Sequence, residues 1–298
     1  MATTNDESIG MLMSMGFSRD QSSQALIECG GHVENAINLL LSGEVGGGNA
    51  NTSNTSNDIQ QQHNNNDDSS SVQAVHSDIS QYSDSLGRSA CTMIALSMAH
   101  RFLLSNSNKN NPQSVISSIF LSDSIQEGIQ LYNSIKNNSN GEEHTSVEEL
   151  ISACLAQDES SEAKSIIKSL QLFDSSPRQG ILSNQSDNPL GLKEVLSQCQ
   201  TDAIDDSYIA VVITKSPETI LVLLPPASSS TICYILLDSH PRPPIMTGSY
   251  ALLHPTLSSL VESIKQIFPV TDLGDGVSEM MTMMYNSFDV YPFQLRHG

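Results

Sequence analysis

Along the first 43 residues apolar positions recur with a helical period and break at glycines, which predicts three short helices. Ile9, Leu12 and Met13 mark the first, and Met15-Gly16-Phe17 interrupts it. Ser18 can cap a second from about Arg19 to Cys29, carrying Ala25, Leu26 and Ile27, which Gly30-Gly31 ends. The third, from about His32 to Ser42, shows Val33, Ala36, Ile37, Leu40 and Leu41 on one face and stops at Gly43. Residues 44–73, rich in Gly, Ser, Asn and Gln, have too little apolar surface to offset the entropy of ordering, and are expected to be a disordered linker. The pattern therefore divides the chain into a small all-α three-helix bundle at 6–43, the linker, and a larger domain at 74–298.

In the larger domain the period changes partway. An apolar run from Ala90 to Leu104 fits a buried helix, and helical patterns follow at about Pro112–Phe120, Ser124–Ile135, Ser146–Gln157, Ser161–Phe173 and Leu190–Gln198. Tyr208–Thr214, Thr219–Leu224 and Thr231–Asp238 are instead β-branched and apolar with turn-like segments between them, the signature of an antiparallel meander. A helix at about Thr256–Ile267 and a last strand at Met281–Phe293 complete the reading. Helices first and an antiparallel sheet second make an α+β domain.

Charge and composition narrow the function. With 13 Lys+Arg against 33 Asp+Glu, a net charge of -20, the chain has no surface suited to neutralising phosphates, so no nucleic-acid partner is expected. No run approaches the ~20 apolar residues of a membrane helix, and the N-terminal residues lack the basic and apolar regions of a signal peptide, so no membrane partner is expected either. The expected location is cytoplasmic and/or nuclear. Cys29, Cys91, Cys154, Cys199 and Cys233 are odd in number, widely spread and without zinc-type spacing, which fits free thiols. There is no phosphate-binding Gly loop, and neither a cofactor nor a metal is expected.

The loop Met15-Gly16-Phe17, the Gly30-Gly31 turn, Val33-Glu34, Ala36-Ile37 and the closing Leu40-Leu41 resemble the ubiquitin-associated domain family. The resemblance implies a surface patch for the apolar face of ubiquitin, with Met15, Gly16, Phe17, Leu40 and Leu41 as contacts and ubiquitin or polyubiquitinated proteins as partners. Leu39, where the family often has an aromatic, departs from the pattern. A bundle this small cannot cover every apolar residue, which agrees with such a patch.

Cysteine catalysis needs a thiolate, a base, a group that orients the base, and donors for an oxyanion. Cys91 stands where Gly87-Arg88-Ser89-Ala90 runs into the apolar helix, and a helix N-terminus lowers a thiol pKa and offers free N–H groups. Asp238 and His240 are two apart at the end of the third strand, the spacing that puts both side chains on one face while Ser239 points away. Gln81, ten positions before Cys91, is the candidate side-chain oxyanion donor. Together Gln81, Gly-x-x-x-Cys and Asp-x-His resemble the papain-like cysteine deubiquitinases, most closely the herpesvirus tegument type, in which Asp and His lie two apart on one strand. That resemblance implies a thiol hydrolase acting at the C-terminal Gly of ubiquitin. A plainer reading stands beside it: Cys91 as a buried core thiol, Asp238 as a turn cap, and the chain as a non-catalytic ubiquitin-binding adaptor with a degenerate protease-like domain. Cys154, Cys199 and Cys233 are expected to be structural, Cys29 to lie in the small core, and the remaining histidines to have no catalytic partner.

Overall fold

The computed structural model describes residues 19–28, 72–106, 112–138, 146–174, 176–183, 188–228, 233–243, 246–274 and 276–296. Contacts divide the chain into two units, Met1–Asn66 and Asp67–Gly298. Within the first, helix α1 (Arg19–Glu28) coincides with the second helix expected from sequence, with Ala25 and Leu26 buried and Ile27 exposed. The other two helices of the expected bundle, the contact residues Met15, Gly16, Phe17, Leu40 and Leu41, Cys29 and the linker at 44–71 lie outside the described residues.

The second unit begins with strand β1 (Gln73–His76) and two 3-10 turns, Gln81–Ser83 and Ser85–Gly87. Helices α2 (Cys91–Asn106), α3 (Pro112–Val115), α4 (Ser118–Asn138), α5 (Val147–Leu155) and α6 (Glu162–Ser169) follow. Then come β2 (Leu170–Leu172), β3 (Arg178–Ile181), α7 (Leu192–Thr201), β4 (Ile209–Lys215), β5 (Glu218–Leu224), β6 (Tyr234–Asp238), β7 (Tyr250–His254), α8 (Leu257–Ile267), α9 (Glu279–Tyr285) and β8 (Ser287–Leu295). Among the described residues, all strands join one 8-stranded sheet in the order β1-β7-β6-β5-β4-β8-β2, with β3 also paired to β8. Every pairing is antiparallel.

The sheet is covered on both faces. Ala210, Val212, Leu221, Leu223, Ile235 and Leu237 face a core shared with α2, α4, α5 and α6, whereas Ile209, Val211, Ile213, Ile220, Val222 and Leu236 face a second core under α7 and α8. Two covered faces explain why the central strands read as unbroken apolar runs instead of alternating ones. Between α2 and α4 the backbones approach closely at Gly128, where an added Cβ would lie 2.6 Å from Ile94 Cα.

Several expected boundaries are corrected. Helices do not simply precede the sheet, because β1 comes before them and β2 and β3 fall between α6 and α7. The two helices expected over 112–120 and 124–135 divide earlier, at Ile116-Ser117, where the Ser117 hydroxyl accepts from Phe120 N–H at 3.1 Å and opens one long α4. The helix expected to reach Phe173 stops at Ser169, since Leu170–Leu172 pairs with β8. Met281–Phe293 is two elements: Ser278 caps a helix of good helix formers, and the strand starts at Ser287.

Candidate active site

Cys91 is the first residue of α2 and 7% exposed. Ala90 N–H donates to Gly87 C=O at 3.0 Å and Ile94 N–H to Ala90 C=O at 2.9 Å, so the Cys91 N–H stands ahead of the helical ladder at the positive end of the helix dipole. The turn before it needs glycine, because a Cβ on Gly87 would lie 2.0 Å from the Gln81 carbonyl oxygen.

Asp238 ends β6 and His240 follows just beyond it, both buried. Asp238 Oδ1 accepts from the His240 backbone N–H at 2.9 Å and lies 2.6 Å from His240 Nδ1. With the carboxylate on that side, the Nδ1 proton belongs to the bond and Nε2 is the nitrogen turned to other partners. Asp238 Oδ2 accepts from Arg242 Nε at 2.9 Å and from the Tyr250 hydroxyl at 3.2 Å. Arg242 in turn is held by both carboxylate oxygens of Glu218, at 3.2 and 2.8 Å. His240 was expected on the strand with Asp238 but lies beyond its end, where the Asp238 carboxylate accepts the His240 N–H and turns the chain; the Ser239 hydroxyl between them donates to Gln81 Oε1 at 2.7 Å.

Gln81 is thereby fixed from two directions, since its backbone N–H also donates to Ser239 C=O at 3.0 Å. With Oε1 engaged by Ser239, Nε2 faces the loop that leads into Cys91 and lies 3.5 Å from Arg88 C=O. The four residues singled out in the sequence, Cys91, His240, Asp238 and Gln81, are thus brought together from three segments: the Gln81–Ser83 turn, the start of α2 and the end of β6.

Their electrostatics are coupled. Burial alone would push the Cys91 thiol up, but the hydrogen bond and charge of His240, and then the Thr219 hydroxyl and backbone, hold it below its ordinary value. Burial alone would lower His240, but hydrogen bonds to Asp238 and Cys91, and the charges of Asp238 and Glu218, raise it to about 9. Burial acts to raise Asp238, and His240 and Arg242 outweigh it, so the carboxyl stays below its usual range. The other described cysteines behave oppositely: burial pushes Cys154 up to about 12 and Cys199 to about 11, and raises Cys233. Such an arrangement supports a thiolate–imidazolium pair at Cys91 and unreactive thiols at Cys154, Cys199 and Cys233.

Sequence reasoning missed part of the site. Thr219, which bonds the Cys91 thiol, belongs to a buried hydroxyl cluster, 3.1 Å from Thr92 Oγ1 and 3.2 Å from Thr214 Oγ1. The Tyr82 ring meets the His240 ring edge to face at 5.9 Å. Arg242 extends the Asp-x-His alternation by two more residues, and that continuation was a readable signal. Thr219 and Tyr250 had none, because they reach the site only through strand pairing, Tyr250 opposite Asp238. His76, His100 and His254 lie elsewhere on β1, α2 and β7, and no three His, Cys, Asp or Glu side chains among the described residues converge to hold a metal. No described helix is long and apolar enough to cross a membrane.

Comparison with known proteins places part of the chain. Residues 5–40 match the UBA/TS-N domain family. No curated protein matches the chain in sequence. Among solved structures it is similar to the ubiquitin-specific protease encoded by a murine cytomegalovirus tegument protein, crystallised with a ubiquitin-based suicide substrate, at 12% identity and a TM-score of 0.48, over 76% of this chain and 88% of that one.

Proposed function

We propose that the chain is a papain-like cysteine deubiquitinase that hydrolyses the bond following the C-terminal Gly of ubiquitin. The observation that carries the reading is the Cys91–His240–Asp238 line, in which a lowered thiol, a raised imidazole and a buried carboxylate 2.6 Å from Nδ1 meet in one place. The match of residues 5–40 to the UBA/TS-N domain supports ubiquitin as the partner, since a tethered binder raises the local concentration of ubiquitinated substrate.

In this mechanism the Cys91 thiolate attacks the Gly carbonyl carbon, and the C–S bond forms as the carbonyl electron pair moves onto oxygen. The Cys91 N–H and Gln81 Nε2–H donate to that oxyanion. Its collapse breaks the C–N bond while imidazolium His240 gives its proton to the leaving Lys amine. Neutral His240 then takes a proton from water, the hydroxide attacks the thioester, and Cys91 leaves as thiolate with ubiquitin released as a carboxylate. Asp238 holds the Nδ1 proton throughout. Ubiquitin carrying a C-terminal electrophile tests this: the native chain should form a covalent adduct on Cys91 and Cys91→Ala none. A native chain that neither labels nor cleaves a ubiquitin substrate would replace this reading with the adaptor.

A further inference from the structure

Helix α9 has a composition that nothing within the described chain explains. It reads Glu279-Met-Met-Thr-Met-Met-Tyr285, and none of its residues is buried. Met280 is 72% exposed and Met284 66%, with Met281, Met283 and Tyr285 exposed beside them. The helix is held by its ends: Ser278 Oγ caps Met281 N–H at 3.3 Å, and the Asn286 side chain bonds the Thr271 backbone in both directions at 2.7 and 2.9 Å. Its side chains therefore add nothing to the core, while a contiguous set of large apolar groups in water is costly in a surface without a use. Methionine, unbranched and polarizable, suits an adaptable protein contact.

Strand register places α9 at the catalytic edge of the sheet. Leu221 pairs with Leu237, so the β5 residue Thr219 lies level with Ser239; Thr219 pairs with Thr214, and Thr214 with Asp289. One row thus runs from the His240 segment across β5 and β4 to the start of β8, three strand spacings or about 14 Å. α9 ends at Tyr285, just before that strand. The described surroundings are acidic: Asp272, Glu279 and Asp289 flank the helix, and residues 270–289 contain no Lys, Arg or His.

We propose that α9 is the docking surface for the globular body of the substrate, a ubiquitin-type protein presenting an apolar face ringed by basic side chains, when its C-terminal carbonyl lies at Cys91. The proposal rests on the reading of Cys91 as nucleophile. A substrate tail that enters at Cys91 brings its folded body onto the same sheet edge, which α9 borders just before β8. The methionines meet its apolar face and the acidic rim meets its basic one, and this complementarity selects ubiquitin over a second copy of a chain whose net charge is -20.

Two measurements test it. In the full chain, Met280→Ser with Met284→Ser, both exposed, should lower kcat/KM about tenfold on a ubiquitin-linked fluorogenic substrate, through KM, and leave hydrolysis of a short peptide with the same C-terminal sequence unchanged. Methionine-methyl NMR of the full-length Cys91→Ala protein titrated with ubiquitin should shift the α9 methyls. Equal loss on both substrates, or shifts confined to Met11, Met13 and Met15, would overturn the proposal. So would α9 shifts that follow protein concentration without ubiquitin, the result of self-association. Shifted α9 methyls in a chain whose native form cleaves nothing would keep the docking surface and remove the hydrolase; cleavage that the double variant leaves intact would do the reverse.

Discussion

A single oxygen of Asp238 holds His240 at two points, accepting the backbone N–H at 2.9 Å and meeting ring Nδ1 at 2.6 Å. Backbone and ring are thus positioned from one place, and Arg242 fixes the opposite carboxylate oxygen at 2.9 Å. Asp238→Asn keeps the volume but offers an amide where the imidazole needs an acceptor. The expected outcome is a fall in kcat on the order of 10²–10⁴ with KM little changed, read by steady-state kinetics on a ubiquitin substrate. It should also destabilise the fold, since the Arg242 guanidinium loses a buried anionic partner, an effect urea unfolding would show as a lower midpoint.

The paired shifts at Cys91 and His240 fix a pH profile. Cys91 ionises below its ordinary value and His240 keeps its proton until about 9, so the thiolate–imidazolium form occupies the window between the two. The rising limb of kcat/KM should follow Cys91 and the falling limb His240. Iodoacetamide should alkylate Cys91 at pH 7 far faster than Cys154, which burial holds near 12. Because the folded pKa of His240 is raised, its contribution to stability is fully present below its unfolded value of about 6.5 and is lost as pH rises through about 9. Equal alkylation of Cys91 and Cys154 at pH 7 would show that no ion pair forms.

How much of this was legible depends on whether a signal is local. The helix-entry Cys91 and the Asp238-x-His240 spacing are written in adjacent residues, and Asp238 meets His240 through a turn just past the strand end instead of through strand alternation. Thr219 and Tyr250 are distant in sequence and become neighbours of the site through pairing of β5, β6 and β7. Edge strand β1 was missed because four mostly exposed residues carry no apolar pattern. The Met281–Phe293 run shows the opposite failure: hydrophobicity alone suggested one strand, while the Ser278 cap and unbranched methionines make its first half a helix.

Gly87 offers a test of Gln81 that substitutes neither the nucleophile nor the base. An alanine Cβ there would meet the Gln81 carbonyl oxygen at 2.0 Å and the Ile129 side chain at 2.8 Å, so the 3-10 segment bearing Gln81 must shift. Displacing an oxyanion donor by about an ångström is expected to cost on the order of 10² in kcat. Alkylation of Cys91 at pH 7 then separates the two effects: a rate near the native one means that His240 and Thr219 still hold the thiol down and that only the oxyanion donor has moved. If Gly87→Ala cleaves ubiquitin substrates at the native rate, Gln81 has no part in the oxyanion hole.

Thr219 permits a separate measure of what sets the thiol pKa. Its hydroxyl helps to hold the Cys91 thiol below its ordinary value and lies 3.1 Å from Thr92 Oγ1 and 3.2 Å from Thr214 Oγ1. Since it has one proton, donation to Cys91 makes Thr92 and Thr214 the donors to Thr219, which orders the cluster towards the thiolate. Thr219→Val is nearly isosteric and suits a strand, so the sheet should persist. What disappears is a hydrogen bond to a charged group, about 1.5 kcal/mol or more, equivalent to roughly a tenfold change in the ionisation constant. The alkylation profile of Cys91 should move to higher pH and its rate at pH 7 drop about tenfold, while the His240 limb of the activity profile stays near its native position. Thr219→Ser restores the donor and should restore the profile, which separates hydrogen bonding from packing. A Thr219→Val protein with the native alkylation profile would show that His240 alone sets the thiolate.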